Sequence, residues 1–387
     1  MSYGPTPEEY PQLPGPARLI RDIVADLSHG KSVVIVFPDA LVESGIADAI
    51  LDDLQTEAAR PAFCDGSAEP FPSRVISTFG SDPIAERRFA EWETIVEWDA
   101  WLGSWLLVTG WLHQDVAEIV DRWPPQLKAC GLPADSRPKL IIAVRLADLP
   151  RSTITHIDQG SMSVHWWWGV LDRLDTETRL ATTSVRRFNP VDSAVIIEVS
   201  GWDLSCTEFL AANWDRTTCG LQEALRQYQE QITTAQQARL PSAPGKMRGV
   251  KLPPTELEQF WRDGLVDRWA HSIRLAPSAL LEADVNQRQW MAHNRMLIPH
   301  VDEERAEYED LILARASPAS LDGLRRRDDD DIIEIGSLAW LVASGRVDIG
   351  RERRLRLLAF RNLRNDLAHR RPAADELLGR IINYLQF

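Results

Sequence analysis

One apolar run constrains this chain more than any other feature. Residues 33–37, VVIVF, are five consecutive β-branched or aromatic side chains bounded by Gly30 and Pro38. A strand with no polar face must be covered on both sides, which points to a sheet packed between helices. Helical spacing flanks the run. Leu19, Ile20, Ile23, Val24 and Leu27 recur at three- and four-residue intervals before it, and Ile46, Ile50 and Leu54 after it. Strand-like runs recur at 74–79, 139–146 and 194–199, separated by helical stretches at 84–98, 116–130 and 166–180. This alternation predicts an α/β domain with a mainly parallel layered sheet.

A polar helix over 217–239 then gives way to 240–254, rich in Pro, Gly and Lys. That composition marks a domain boundary. Every later segment reads as helix: 256–272 with Thr255 and Glu258 as a capping box, then 277–297, 303–316, 332–344, 351–367 and 374–387. The expected organisation is therefore a flexible lead-in over 1–15, an α/β domain over 16–239, a linker over 240–254, and an all-α helical bundle over 255–387.

A net charge of −14 over 387 residues argues against a general nucleic-acid coat. Cys64, Cys130, Cys206 and Cys219 are far apart and form no C-x-x-C, as expected of free thiols in a reducing cytoplasm. The Pro-rich start has no apolar signal-peptide core, and the longest apolar run, 101–111, falls short of the ~20 residues of a membrane span. A soluble cytoplasmic protein with no membrane partner is expected.

Several features that suggest ligands have simpler explanations. Gly30-Lys31-Ser32 matches the end of a phosphate-binding loop, but Ala25 occupies the first-glycine position and the strand follows the triplet. Such a loop needs the strand first and a helix N-terminus after it, so Gly30 reads as a helix C-cap in a degenerate P-loop-like domain. Neither His156 with His165 nor His293 with His300 has metal-ligand spacing, and no hydrolase signature is present. No cofactor or metal is expected. The 15 tryptophans, clustered near 98–111 and 166–168, read as packing surfaces before stacking platforms.

The chemistry lies in 351–372, RERRLRLLAFRNLRNDLAHRRP. Leu355, Leu358, Ala359, Leu363 and Leu367 make an apolar stripe, so this is one amphipathic helix. Arg364-Asn365 with His369, R-N-x-x-x-H near a helix end, resembles the HEPN superfamily, as does the preceding helix within 332–342. The resemblance implies a small helical domain. Members are metal-independent ribonucleases of defence and toxin systems, or inactive dimerisation and RNA-binding modules.

The residues have their own logic. Metal-free RNA cleavage needs a base for the 2′-hydroxyl, an acid for the leaving oxygen and a cation for the phosphorane. His369 suits acid or base work, Arg364 offers a donor fork for phosphate, and Asn365, one turn before His369, can orient the ring. Arg364 and His369 lie about 140° apart around a regular helix. One copy holds such a pair poorly, so the resemblance implies a homodimer that lines one cleft with both motifs. Eight arginines face two acids over 351–371, a local charge of +6, so Arg361, Arg370 and Arg371 join the expected RNA-binding set. The acidic run 328–331 is expected to cover this basic helix at rest. A purely structural role remains open, with Asn365 and His369 on backbone carbonyls and Arg364 on an acid.

The resemblance thus implies a component of a prokaryotic antiviral defence or toxin system acting as a metal-independent endoribonuclease. The alternative is a catalytically silent adaptor of a multi-protein defence complex.

Overall fold

A computed structural model describes residues 3–57, 62–64, 68–80, 83–157, 160–183, 187–232, 251–318 and 333–387. In chain order the elements are α1 (Pro14–Ser28), β1 (Ser32–Val36), α2 (Asp39–Glu43), α3 (Ile46–Glu57), β2 (Ala62–Phe63) and α4 (Phe71–Phe79). Next come α5 (Pro83–Phe89), α6 (Trp92–Ile95), β3 (Trp105–Thr109), α7 (Val116–Ala129), β4 (Lys139–Val144), α8 (Arg151–Thr155) and β5 (Met162–Trp166). They continue with α9 (Arg173–Thr183), α10 (Pro190–Ser200), α11 (Leu204–Asn213), α12 (Thr218–Gln231), α13 (Glu258–Arg262), β6 (Val266–Trp269) and β7 (Ser272–Leu275). The chain closes with α14 (Glu282–Leu313), α15 (Ile335–Ala343), α16 (Arg351–Ala368) and α17 (Asp375–Leu385).

The architecture is an α/β sheet region plus a helical bundle. Five parallel strands run in the order β2-β3-β4-β1-β5. Two of the interior strands, β1 and β4, are buried at every position, which is why both read as largely apolar runs. Among the described residues, no helix is long and apolar enough to cross a membrane.

Two compact units form, interleaved along the chain. The α/β unit holds 5–178 and 238–276, and the helical unit holds 1–4, 179–237 and 277–387. Part of the expected linker, 240–250, lies outside the described residues. The unit boundaries fall at other places than 239 and 255: α10, α11 and α12 group with the helical unit, and β6–β7 with the sheet.

Three local expectations are corrected. The run 74–79 belongs to helix α4, and 194–199 to helix α10. Nine of the eleven residues of α10 are buried, and a helix buried all round has lost the polar face that would betray its period. Its ends were better signposted: Asn189 caps Asp192 N, Pro190 opens the helix, and Gly201 follows it. Strands instead occupy 105–109, inside the run around Trp101–Trp111, and 162–166, at the edge of an expected helix.

The expected helix 256–272 is also wrong. Thr255 opens a 3-10 turn, α13 follows, and then the β6–β7 hairpin, so strands do occur beyond residue 254. Its turn residues, Ala270 and His271, take φ of +47° and +68°. Positive φ at both central positions is the hairpin geometry usually signalled by Asn-Gly, and Ala-His gives no such signal. The hairpin is tied within its unit by buried Asp267, whose carboxylate accepts the Gly169 and Arg268 amides at 2.8 and 2.7 Å. Gly169 has φ of +69°, a conformation that strains an L side chain, and a Cβ there would push the Arg268 guanidinium aside, so glycine is favoured.

Candidate functional site

Helix α16 carries the site. Its buried seam is Leu357, Ala359, Phe360, Leu363 and Leu367, packed with α14, α15 and α17 in the core of the helical unit. The expected stripe was partly out of phase, since Leu355 is 50% exposed and Leu358 only partly buried. Leu357 and Phe360 take those places.

The basic residues divide into engaged and presented groups. Arg356 grips Glu304 with two bonds, Nε donating to Oε2 at 2.9 Å and the terminal nitrogen to Oε1. Arg361 donates to the Asn362 amide oxygen at 2.8 Å. Arg364 pairs with Glu334 at 3.1 Å, with both side chains about half exposed. Asn365, His369, Arg370 and Arg371 are exposed. Among the described residues, no hydrogen bond joins the Asn365 amide to the His369 ring. The backbone does connect them: His369 N donates to Asn365 O at 3.1 Å. The acidic run 328–331 lies outside the described residues.

His369 is the C-cap residue of α16, and a tight turn follows. Arg371 N donates to Asp366 O at 2.9 Å and Arg370 N to Leu367 O at 3.1 Å, the paired bonds of a Schellman turn. Arg370 adopts φ of +57°, a position where glycine is the usual occupant. Pro372 then forbids further helix. Arg370, Arg371, Ala373, Asp375, Thr218 and Asn286 line an open groove of about 470 Å³.

Helix α14 supports this turn. Trp290 Nε1 donates to Leu367 O at 2.8 Å, and His293 Nδ1 accepts Ala373 N at 3.1 Å. Burial pushes His293 down to about 4, against a smaller upward pull from Asp375. The ring is therefore neutral near pH 7, and an accepting Nδ1 puts its proton on Nε2. Asp375 in turn takes the Thr218 N–H and hydroxyl, the latter at 2.8 Å.

No protein-family model matches this chain, and no curated protein does.

In the α/β unit, the Gly30-Lys31-Ser32 triplet sits at the amino edge of the sheet. Gly30 has φ of +79° after α1, Lys31 pairs with Asp26 at 3.5 Å, and β1 follows. Ser32 Oγ is occupied in the core by Trp123 Nε1 and Leu140 N at 2.8 and 2.9 Å. At the carboxyl edge, where open α/β sheets bind ligands, β1 leads into Phe37-Pro38-Asp39 with no glycine. There Asp39 accepts Arg262 at 2.8 Å.

The tryptophans mostly pack, with Trp101, Trp123, Trp167, Trp214, Trp261 and Trp269 under 2% exposed. Among the described residues, no group of three or more His, Cys, Asp or Glu is placed to hold a metal.

Sequence reasoning missed Trp290, His293 and Thr218 as supports, because nothing local ties them to residues 77 or more positions away. It also missed a cavity of about 760 Å³ at the carboxyl end of β3, lined by Arg74, His113, Asp115, Phe71 and Trp92. Arg74 is buried and donates to His113 Nδ1 at 2.6 Å and to Asp115. A strand reading of 74–79 had hidden it.

Proposed function

We propose that the helical unit acts on RNA as a metal-independent endoribonuclease in a prokaryotic antiviral defence or toxin system. The observation that carries this reading is the presentation of Asn365, His369, Arg370 and Arg371 together at one helix end, on a turn braced from behind. His369 serves as acid or base, Asn365 positions it within a dimer, and Arg364 meets the phosphorane charge. Arg361, Arg370 and Arg371 hold the phosphate backbone. A second copy of the chain supplies the cleft that one α16 leaves incomplete. Activity belongs in the cytoplasm, held in check by the rest of the protein or a partner.

The Arg364–Glu334 pair favours a second reading. An arginine already engaged by an acid suits a silent adaptor, whose bundle dimerises or binds RNA within a multi-protein complex without cutting it.

Cleavage of total and transfer RNA in EDTA separates the two, with wild type beside His369→Ala. Cleavage that His369→Ala abolishes supports the enzyme. A stable dimer that binds RNA but leaves it intact supports the adaptor.

A further inference from the structure

The turn after α16 combines a disfavoured backbone with an exposed His-Arg-Arg run, His369 to Arg371. Arg370 holds φ of +57°, and Arg371 and His369 flank it. This conformation costs an L side chain more than it would cost a glycine, and the contacts around the turn offset that cost.

Two side chains of α14 do the holding. Trp290 donates to Leu367 O, and His293, fully buried, accepts the Ala373 amide. They stand three residues apart and so share one face of the helix. Between their anchor points lie only Ala368, His369, Arg370, Arg371 and Pro372. The start of α17 is tied as well: Gln289 Nε2 donates to Thr218 Oγ1 at 3.1 Å, and Thr218 donates to Asp375.

We propose that Trp290 and His293 are positioning residues, which fix the turn so that RNA meets His369, Arg370 and Arg371 already in place. This rests on the reading that these three residues face RNA. A preformed grip spares the ordering of two long arginine side chains' backbone on binding, so its loss shows as weaker affinity.

The test uses the full-length protein, a fluorescent single-stranded RNA titrated at fixed salt, thermal melting, and hydrogen exchange of peptides spanning 366–374. Trp290→Phe keeps a ring but removes the donor, and His293→Leu removes the acceptor. Each is expected to weaken RNA binding at least about fivefold and to speed exchange across the turn. His293→Asn, whose amide oxygen can replace Nδ1, is expected to recover most of both losses. Arg370→Gly relieves the backbone but removes a phosphate contact, so melting temperature should rise while RNA affinity falls, which assigns Arg370 to RNA contact and not to the fold. RNA affinity within twofold of wild type in both Trp290→Phe and His293→Leu overturns the proposal, as does failure of His293→Asn to recover either readout. If wild type binds no RNA, the functional reading fails first. Exchange then judges the positioning by itself: unchanged protection at 370–373 overturns it, and lost protection sustains it.

Discussion

The α/β unit and the helical unit each hold a critical turn with a buried titratable side chain, and they chose opposite kinds. In the α/β unit the acid Asp267 accepts two backbone amides, Gly169 and Arg268. In the helical unit the base His293 accepts one, Ala373. Burial disfavours charge in both places. It drives the acid up to about 7 and the base down to about 4. The same physics thus gives the two units pH dependences of opposite sign.

The comparison breaks first at function. His369→Ala is expected to lower RNA cleavage by roughly 10²–10⁴-fold, the usual worth of a general acid or base. Lys31→Ala, at the amino edge of the sheet, should leave the rate unchanged in the same gel assay. Loss of cleavage in Lys31→Ala would move the chemistry into the α/β unit.

Packing should affect both units alike. Trp123→Ala in the one and Phe360→Ala in the other each remove a fully buried ring and should cost about 3–5 kcal/mol. Denaturant melts followed by hydrogen exchange should place each loss in its own unit. Spread of either loss through both units would show that they unfold as one.

The titrations sharpen the contrast. Asp267 moves from 3.8 to about 7 on folding, so between those pH values the folded chain holds more protons than the unfolded one. Its contribution to stability falls by about 4 kcal/mol as pH rises through that window. Asp267→Asn keeps an acceptor for both amides and should flatten that slope in exchange measurements on β6–β7. His293 moves from 6.5 to about 4, so there the unfolded chain holds more protons. Stability of the helical unit therefore declines by about 3 kcal/mol as pH falls from 6.5 towards 4. His293→Asn should remove that decline, and a slope that survives it would assign the effect to other groups.

The smallest effect concerns the latch at Arg364. Its pair with Glu334 is half exposed, and such pairs contribute about 0–1 kcal/mol. Glu334→Gln should raise RNA affinity by about fivefold at most in a low-salt titration. No change at any salt would mean that Arg364 does not reach RNA.

Legibility followed burial pattern. Strands β1 and β4, buried on both faces, stood out from their composition, and α16 stood out from its amphipathic period. Helix α10 misled because it is buried on all sides, so its Val and Ile content resembled a strand. The β6–β7 hairpin was hidden by an Ala-His turn. Of the site, Arg364, Asn365, His369, Arg370 and Arg371 were all visible, since they lie within one short stretch. Their supports were not, because Trp290 and His293 are separated from the residues they hold by 77 and 80 positions.

By itself the sequence determined what local interactions decide. It set the α/β and helical classes, the caps and breaks of α16, and the concentration of arginine around one histidine. The tertiary structure alone decided which of those arginines are engaged, that three helices before residue 232 join the C-terminal bundle, and that a helix 80 residues away braces the turn. Such choices depend on contacts between segments far apart in the chain, and periodicity within either segment carries no record of its partner.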